Sequence, residues 1–255
     1  MFAEERRNKI LDILDSNKEV NVKSLSELFE VSEVIIRKDL KKLEDNNQLQ
    51  RTHGGAIPSR RHAVTSNINS RVIKINREKI KIAELGFKQI NNGDSILLDS
   101  SSINLEIAKL IQKSRLQITV ITNMLEIAHI LAGIENISII CTGGHFHSKI
   151  GVFCGSLTID NIKKFNVDKL FLGVAGINIT KGYLSNFDID EGKTKNVMID
   201  ISNQIYLIAE SSKFYQDALY NFTTIDKIDK IITDSILEPE LMNKLNKNNI
   251  DLIYQ

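Results

Sequence analysis

The sequence predicts an α/β protein in two parts: a small, mostly helical N-terminal unit closed by a β-hairpin, and a larger domain built on a mainly parallel sheet. Three observations predict it. Apolar residues recur at helical spacing through residues 10–43. A His53-Gly54-Gly55 turn signal separates two short extended stretches and is followed by Pro58, one of 2 prolines in the chain. From Arg77 onward, apolar extended runs alternate with helical segments, the pattern of strands buried on both faces and joined by crossover helices.

Taken in order, Ile10, Leu11, Ile13 and Leu14 form an apolar stripe on a helix over about 3–16. Asn21 reads as the N-cap of a second helix that buries Leu25, Leu28 and Phe29. Ser32 reads as the N-cap of a third, in which Ile36, Leu40 and Leu43 share one face. Residues 49–52 and 56–57 are the arms of the hairpin, and the polar stretch 59–69 has no apolar period and reads as a linker. Beyond it, extended segments are expected at 95–98, 117–121, 137–141, 169–174, 204–209 and 230–233. Helices are expected between them at 103–111, 124–131, 157–165 and 191–201. The expected organisation is therefore a helical N-terminal unit at 1–57, a connector at 58–76 and an α/β domain at 77–255.

The net charge of +1 hides an uneven distribution. Residues 1–57 carry −1, residues 58–81 carry +6 through Arg60, Arg61, Arg71, Lys74, Arg77, Lys79 and Lys81, and the remainder carries −4. A basic stretch of that kind suits either a nearby polyanion or a solvated surface. No apolar run approaches the roughly 20 residues that cross a bilayer, and the first residues lack the apolar stretch of a secretory signal. With 2 cysteines, Cys141 and Cys154, a disulfide framework is not expected and a reducing cytoplasm is.

Helix, short helix, tight turn and longer helix is the order of a helix-turn-helix, and the hairpin after it makes the unit a winged one. The third helix must bury one face and offer the other to the major groove. With Ile36, Leu40 and Leu43 inward, Ser32, Glu33, Val34, Ile35, Arg37, Lys38, Lys41 and Lys42 belong to the turn and the outer surface. Arg37 is the candidate for a bidentate contact to guanine or a phosphate clamp, and the lysines suit phosphates. Arg51 and His53 lie on the wing. Double-stranded DNA is the partner this arrangement implies.

These segments resemble the DeoR family of bacterial transcriptional repressors. The stretch from Val31 to Leu40 (V-S-E-V-I-I-R-K-D-L) is similar to the family's recognition segment, and Arg51-Thr52-His53-Gly54-Gly55-Ala56 to its wing. Ile35 stands where the family usually has threonine, and Lys38 replaces an arginine, a point charge for a planar fork. The resemblance extends through the stretches 93–99, 119–123, Gly143-Gly144, 171–176, Glu191 with Lys195, and 211–214. It implies a C-terminal effector domain of ribose-5-phosphate-isomerase-like fold, a phosphorylated-sugar effector, and a homo-oligomeric repressor of a carbohydrate-uptake or catabolism operon.

The residues support an anion site on their own terms. Asp99, Ser100, Ser101 and Ser102 lie between a strand and a helix, where backbone N–H groups and hydroxyls receive anions. Thr122 and Asn123 end the next strand, and Lys213 follows a later one, at the carboxyl edge where open α/β sheets bind ligands. The resemblance adds Gly143, Gly144, Gly173, Glu191 and Lys195 to the expected effector site. Glu191 and Lys195 are also an i, i+4 pair that can serve as a salt bridge alone. The family's D-x-G-T-T becomes Asp99-Ser100-Ser101-Ser102-Ile103, without its glycine, and Glu210 stands for an aspartate.

Cys141, His145, His147 and Cys154 invite a metal reading, but their spacing fits no common finger and Cys141 is expected in a buried strand. Neither metal nor cofactor is expected. The rival reading is an isomerase- or transferase-like enzyme using Glu191 as base, for which no second acid/base group stands out. An RNA-binding or scaffolding protein fits the basic connector but not the wing.

Overall fold

The computed structural model describes residues 3–17, 19–45, 48–58, 61–62 and 76–255, and the chain divides into two units, Met1–Arg61 and His62–Gln255. Most of the expected connector lies outside the described residues, including the 59–69 stretch apart from the two-residue strand β4 (Arg61–His62), which falls on the unit boundary.

The first unit orders α1 (Ala3–Asn17), β1 (Val20–Asn21), α2 (Val22–Phe29), α3 (Glu33–Asp45), β2 (Leu49–Arg51) and β3 (Gly55–Pro58). Asn21 starts α2: its Oδ1 accepts the N–H of Lys23 at 2.8 Å and of Ser24 at 3.4 Å. Glu30, in the left-handed region at φ 54°, ends it. The Ser32 carbonyl then accepts the N–H groups of Ile35 and Ile36 and opens α3. Ile10, Leu14, Leu25, Ile36, Leu40 and Leu43 meet in one core.

Two features depart from the expectation. Leu28 is 62% exposed, because the inward stripe of the short α2 runs through Val22, Leu25 and Phe29 and leaves Leu28 at its rim. The hairpin also gains a third strand: β1 pairs antiparallel with β3, Val20 opposite Ala56 and Asn21 opposite Gly55. A strand of two residues is too short to show a period. Its approach explains the second glycine of the wing, since a Cβ at Gly55 would overlap the Val20 carbonyl oxygen.

An ion pair fastens α1 to α3. Arg6 Nε donates to Asp39 Oδ2 at 2.7 Å with both side chains under 10% exposed (8% and 6%), and Arg7 reaches the other oxygen at 3.3 Å. Asp39 sits in the recognition motif but faces inward, away from any groove.

The second unit begins with α4 (Arg77–Phe87) and carries a parallel seven-stranded sheet. Its strands in chain order are β5 (Ser95–Leu98), β6 (Ile118–Thr122), β7 (Ile137–Cys141), β10 (Val167–Gly173), β13 (Ser202–Ile208), β16 (Lys230–Ile232) and β17 (Asp251–Ile253). In space the order is β17-β16-β13-β10-β5-β6-β7. The chain lays β5, β6 and β7 outward one way and β10, β13, β16 and β17 the other, so the direction reverses between β5 and β10. Helices α5 (Ser102–Gln112), α6 (Leu125–Leu131), α7 (Ser156–Ile162), α8 (Ile189–Asp200) and α9 (Pro239–Lys247) complete the unit.

The strands serve two cores, as buried apolar runs require. In β5, Ile96 and Leu98 join the cluster of α4, α5 and α6, while Leu97 joins the opposite one with Met198 of α8 and Leu245 of α9. The shorter strands β8 (His145–His147) and β9 (Val152–Cys154) form a hairpin. Strands β11 (Gly176–Asn178), β12 (Tyr183–Asn186) and β15 (Tyr220–Thr224) form a small antiparallel sheet, and β14 spans Gln216–Asp217. That small sheet, α4, α9 and β17 were not expected. Cys141 lies in a strand as expected, yet it is exposed, because β7 is an edge of the sheet. Among the described residues, no helix is long and apolar enough to cross a membrane.

Candidate functional site

The outer face of α3 is open. Ser32, Glu33, Val34, Ile35, Arg37, Lys38, Lys41 and Lys42 are all exposed, while Ile36, Asp39, Leu40 and Leu43 are buried. The 74% exposure of Val34 and the 40% of Ile35 set apolar surface among these charges, the chemistry that meets a thymine methyl in a major groove. Arg37 donates to Glu33 Oε2 at 3.0 Å, an exposed i, i+4 pair that salt and phosphates can displace. On the wing, Arg51 and His53 are exposed, and the Arg51 N–H donates to Glu44 Oε1 at 2.8 Å, tying β2 to the end of α3.

In the second unit, the chemistry gathers where the loops after β5, β10 and β13 meet. A cleft of about 110 Å³ is lined by Ser100, Ser101, Ser102, Gly173, Lys195 and Lys213 from the expected set. It opens at the carboxyl edge of the sheet beside the β5/β10 reversal, the place where doubly wound sheets take ligands.

The loop after β5 is fixed by Asp99, which is fully buried. Its Oδ1 accepts the Ser101 N–H at 2.9 Å and Asn104 Nδ2 at 2.8 Å. Its Oδ2 accepts the Gly173 N–H at 2.7 Å and faces Lys195 Nζ at 2.9 Å. Asn104 also donates to the Phe171 carbonyl at 2.8 Å, so the loop is fastened to β10. Ser101 caps α5, accepting the Asn104 N–H at 3.1 Å. The first-turn residues Ser102 and Ile103 then border the cleft at the positive end of an 11-residue helix.

The missing glycine costs the loop nothing. Ser101 lies at φ −81° and ψ 148°, extended backbone that any residue adopts. Gly173 carries the steric demand instead: a Cβ there would overlap the Ser101 side chain.

Lys195 forms part of the cleft wall, and Glu191 sits behind it. Ser100 Oγ donates to Glu191 Oε1 at 2.6 Å, and Lys195 donates to the Gly173 carbonyl at 2.7 Å besides pairing with Asp99. The buried Asp99–Lys195–Glu191 group thus holds the loops after β5 and β10 together, and Glu191 does not reach the cleft.

Four further expected residues do not line the cleft either. Thr122 and Asn123 end β6, which lies on the side of β5 away from β10. The Thr122 hydroxyl donates to the Leu98 carbonyl at 2.8 Å and Asn123 Nδ2 to the Phe153 carbonyl at 2.9 Å. Gly143 and Gly144 follow β7, the edge strand beyond β6, both at positive φ (62° and 109°). There Thr158 Oγ1 donates to the Gly143 carbonyl at 2.8 Å, and a Cβ at Gly144 would overlap that hydroxyl. Thr122 and Asn123 do stand beside the loop after β5, as their sequence position implies, but the cleft opens on the other side of β5, where the reversal of winding brings the loops after β10 and β13.

Beside apolar lining and Glu210, the cleft holds two polar residues that the sequence reading passes over, Lys79 and Asn186. Lys79 on α4 lines the cleft and is only 8% exposed. It stands at the head of the buried series Lys79, Ile82, Ala83 and Gly86, so a lysine in an apolar stripe was the available signal. Asn186, at the end of β12, also lines the cleft, but the irregular pattern around it offered no sign.

Burial and the nearby Asp188, Asp190 and Glu191 carboxylates push the Cys154 thiol up to about 11. It stays a protonated thiol at neutral pH, unlike a metal-ligating or nucleophilic cysteine. Among the described residues, no cluster of three or more His, Cys, Asp or Glu side chains is arranged for a metal.

Residues 6–61 match the DeoR-like helix-turn-helix domain, and residues 74–235 match the DeoR C terminal sensor domain. The chain belongs to the DeoR family. It is 33% identical over 250 residues to the HTH-type transcriptional regulator YulB of Bacillus subtilis, covering 98% of this chain and 96% of that protein. It is 31% identical to the transcriptional repressor GlcR of the same organism, over 99% of this chain and 96% of the relative. Identity to the glycerol-3-phosphate regulon repressor of Escherichia coli is 33%, over 99% of each. A ribose 5-phosphate isomerase A from Methanocaldococcus jannaschii aligns with 59% of the chain and 55% of its own at 15% identity and a TM-score of 0.40. The DeoR-family chain is a DNA-binding transcriptional regulator, and its family and these full-length relatives are regulators rather than enzymes.

Proposed function

We propose that this DeoR-family regulator is a cytoplasmic repressor of a carbohydrate-uptake or catabolism operon, and that a phosphorylated sugar in the cleft beside β5 and β10 changes its operator affinity. The observation that carries the reading is the cleft itself: Lys79, Lys195 and Lys213 and the N-terminal turn of α5 surround a space beside one acidic wall residue, Glu210. Lys79, Lys213 and the helix N-terminus line the cleft and are the groups that would face a phosphate, while Lys195 pairs with Asp99 in its wall. Two of the relatives are named as repressors, one of a glycerol-3-phosphate regulon.

The protein acts as a homo-oligomer, because helix-turn-helix heads read paired half-sites through a two-fold axis. Its operational domains are the reading head, 1–57, the connector, 58–76, and the sensing domain, 77–255. The chain enters the last of these at α4, whose first turn brings Lys79 to the cleft. Ligand held by Lys79 therefore acts on the helix nearest the connector in sequence. A thermal-shift panel of sugar phosphates on the full chain tests the site. A true effector at 100 times its Kd stabilises the protein by about 2.7 kcal/mol. A flat response to every sugar phosphate would remove the cleft from the account.

A further inference from the structure

Asn186 has an unusual setting for a buried amide. The residue is 2% exposed, it lines the cleft, and its Nδ2 has no hydrogen-bond partner. Buried amides are nearly always bonded, because leaving the N–H groups unmatched forfeits their hydration without return. Asn104 Oδ1, Asn123 Oδ1, Thr142 Oγ1 and His147 Nδ1 are also unmatched, but none of those residues lines the cleft.

The backbone around Asn186 fixes where the amide stands. Asn186 pairs with Tyr220 at the end of β12, and Asp188 immediately caps α8 by accepting the Glu191 N–H at 2.9 Å. Both anchors hold the main chain, so the side chain is presented from a rigid wall. The rest of the lining divides by chemistry. Lys79, Lys213 and the first turn of α5 suit an anion, while Val174, Ala175, Phe187 and Ile208 are apolar. A space of about 110 Å³ is well below the roughly 300 Å³ at which pockets take drug-sized ligands, which favours a small molecule over a nucleotide.

From this we infer that Asn186 is the specificity-determining residue of the effector site. Its Nδ2 donates to a hydroxyl or carbonyl oxygen on the carbon chain of a small phosphorylated polyhydroxy compound, whose phosphate lies with Lys79, Lys213 and α5. The inference rests on the phosphate reading of the cleft and adds what that reading lacks, a group that distinguishes a sugar phosphate from phosphate alone. A site built to bond a ligand oxygen rejects analogues without it, since the protein group is then left buried and unmatched.

The test is calorimetric titration of the full chain with inorganic phosphate, glycerol 3-phosphate, ribose 5-phosphate and fructose 6-phosphate. The wild type should bind at least one organic phosphate more tightly than inorganic phosphate. Asn186→Ala and the similarly sized Asn186→Leu should weaken that compound about tenfold and leave inorganic phosphate within about twofold. Asn186→Ser, which restores a donor, should recover part of the preference and serves if the other variants fold poorly. An unchanged preference in the variants, or an equal loss for both ligands, overturns the inference while leaving the phosphate reading standing. Failure of the wild type to bind any of the four compounds overturns both.

Discussion

Lys195 Nζ lies 2.9 Å from Asp99 Oδ2, and the two side chains are 4% and 0% exposed. The pair joins α8 to the loop after β5, and Lys195 also binds the Gly173 carbonyl after β10. Two residues that read in the sequence as ligand contacts are thus the clamp that shapes the cleft. Lys195→Met should leave Asp99 as a buried carboxylate without its cation and destabilise the second unit by about 3 kcal/mol or more. Chemical denaturation measures it; a loss under 1 kcal/mol would return Lys195 to the role of a ligand group.

On the reading head, Arg37→Ala should cost about 1–3 kcal/mol of operator affinity and relax base preference at one position. Lys41→Ala or Lys42→Ala should weaken all duplexes alike and lower the salt slope by about 1. Gel shifts on a duplex selected from randomised DNA measure both. Operator affinity of Arg37→Ala within twofold of wild type would show that the outer face of α3 is not the reading surface.

The two wing glycines should behave differently. A Cβ at Gly55 collides with the Val20 carbonyl, whereas at Gly54 the nearest atom, on Asn21, is 3.9 Å away. Gly55→Ala should destabilise the first unit by about 1–3 kcal/mol, and Gly54→Ala by less than about 1 kcal/mol. Equal losses would contradict the three-stranded arrangement of β1, β3 and β2.

The thiols should also separate. Cys154, raised to about 11 by burial and then by Asp188, Asp190 and Glu191, stays protonated in the fold when the unfolded chain ionises near 9. Its contribution to stability is therefore full below pH 9 and is lost as pH rises towards 11. Cys154→Ala should flatten the fall in unfolding free energy across that window, and an unchanged slope would contradict the assignment. At pH 8 a disulfide reagent should modify native protein at the exposed Cys141 alone.

Much of this was legible in the sequence, for physical reasons that also mark its limits. Long apolar periods gave α1, α3 and the central strands, since burying one stripe or two faces leaves a repeating signature. Asn21 was legible as a cap because its side chain bonds the backbone locally. Short or long-range features left no such trace. The pairing of Val20–Asn21 with β3 and the ion pair of Arg6 with Asp39 depend on residues some thirty positions apart. The site was half legible. The serine loop and Lys213 follow strands and line the cleft, whereas Thr122 and Asn123 stand beside the loop after β5 as expected but on the side of β5 away from the cleft, which only the order of strands in space decides. Lys79 was overlooked as a surface charge, although its place on a buried stripe marked it.

Whether an anionic ligand in this cleft alters DNA binding is decided by an operator titration with and without ligand. Fluorescence anisotropy of the selected duplex should be followed with the sugar phosphate that gives the largest thermal shift. Wild-type affinity should change about 5- to 150-fold on adding the ligand, and Lys213→Ala and Lys79→Met should lose most of that change. A wild-type response retained in full by both variants would contradict a ligand in this cleft.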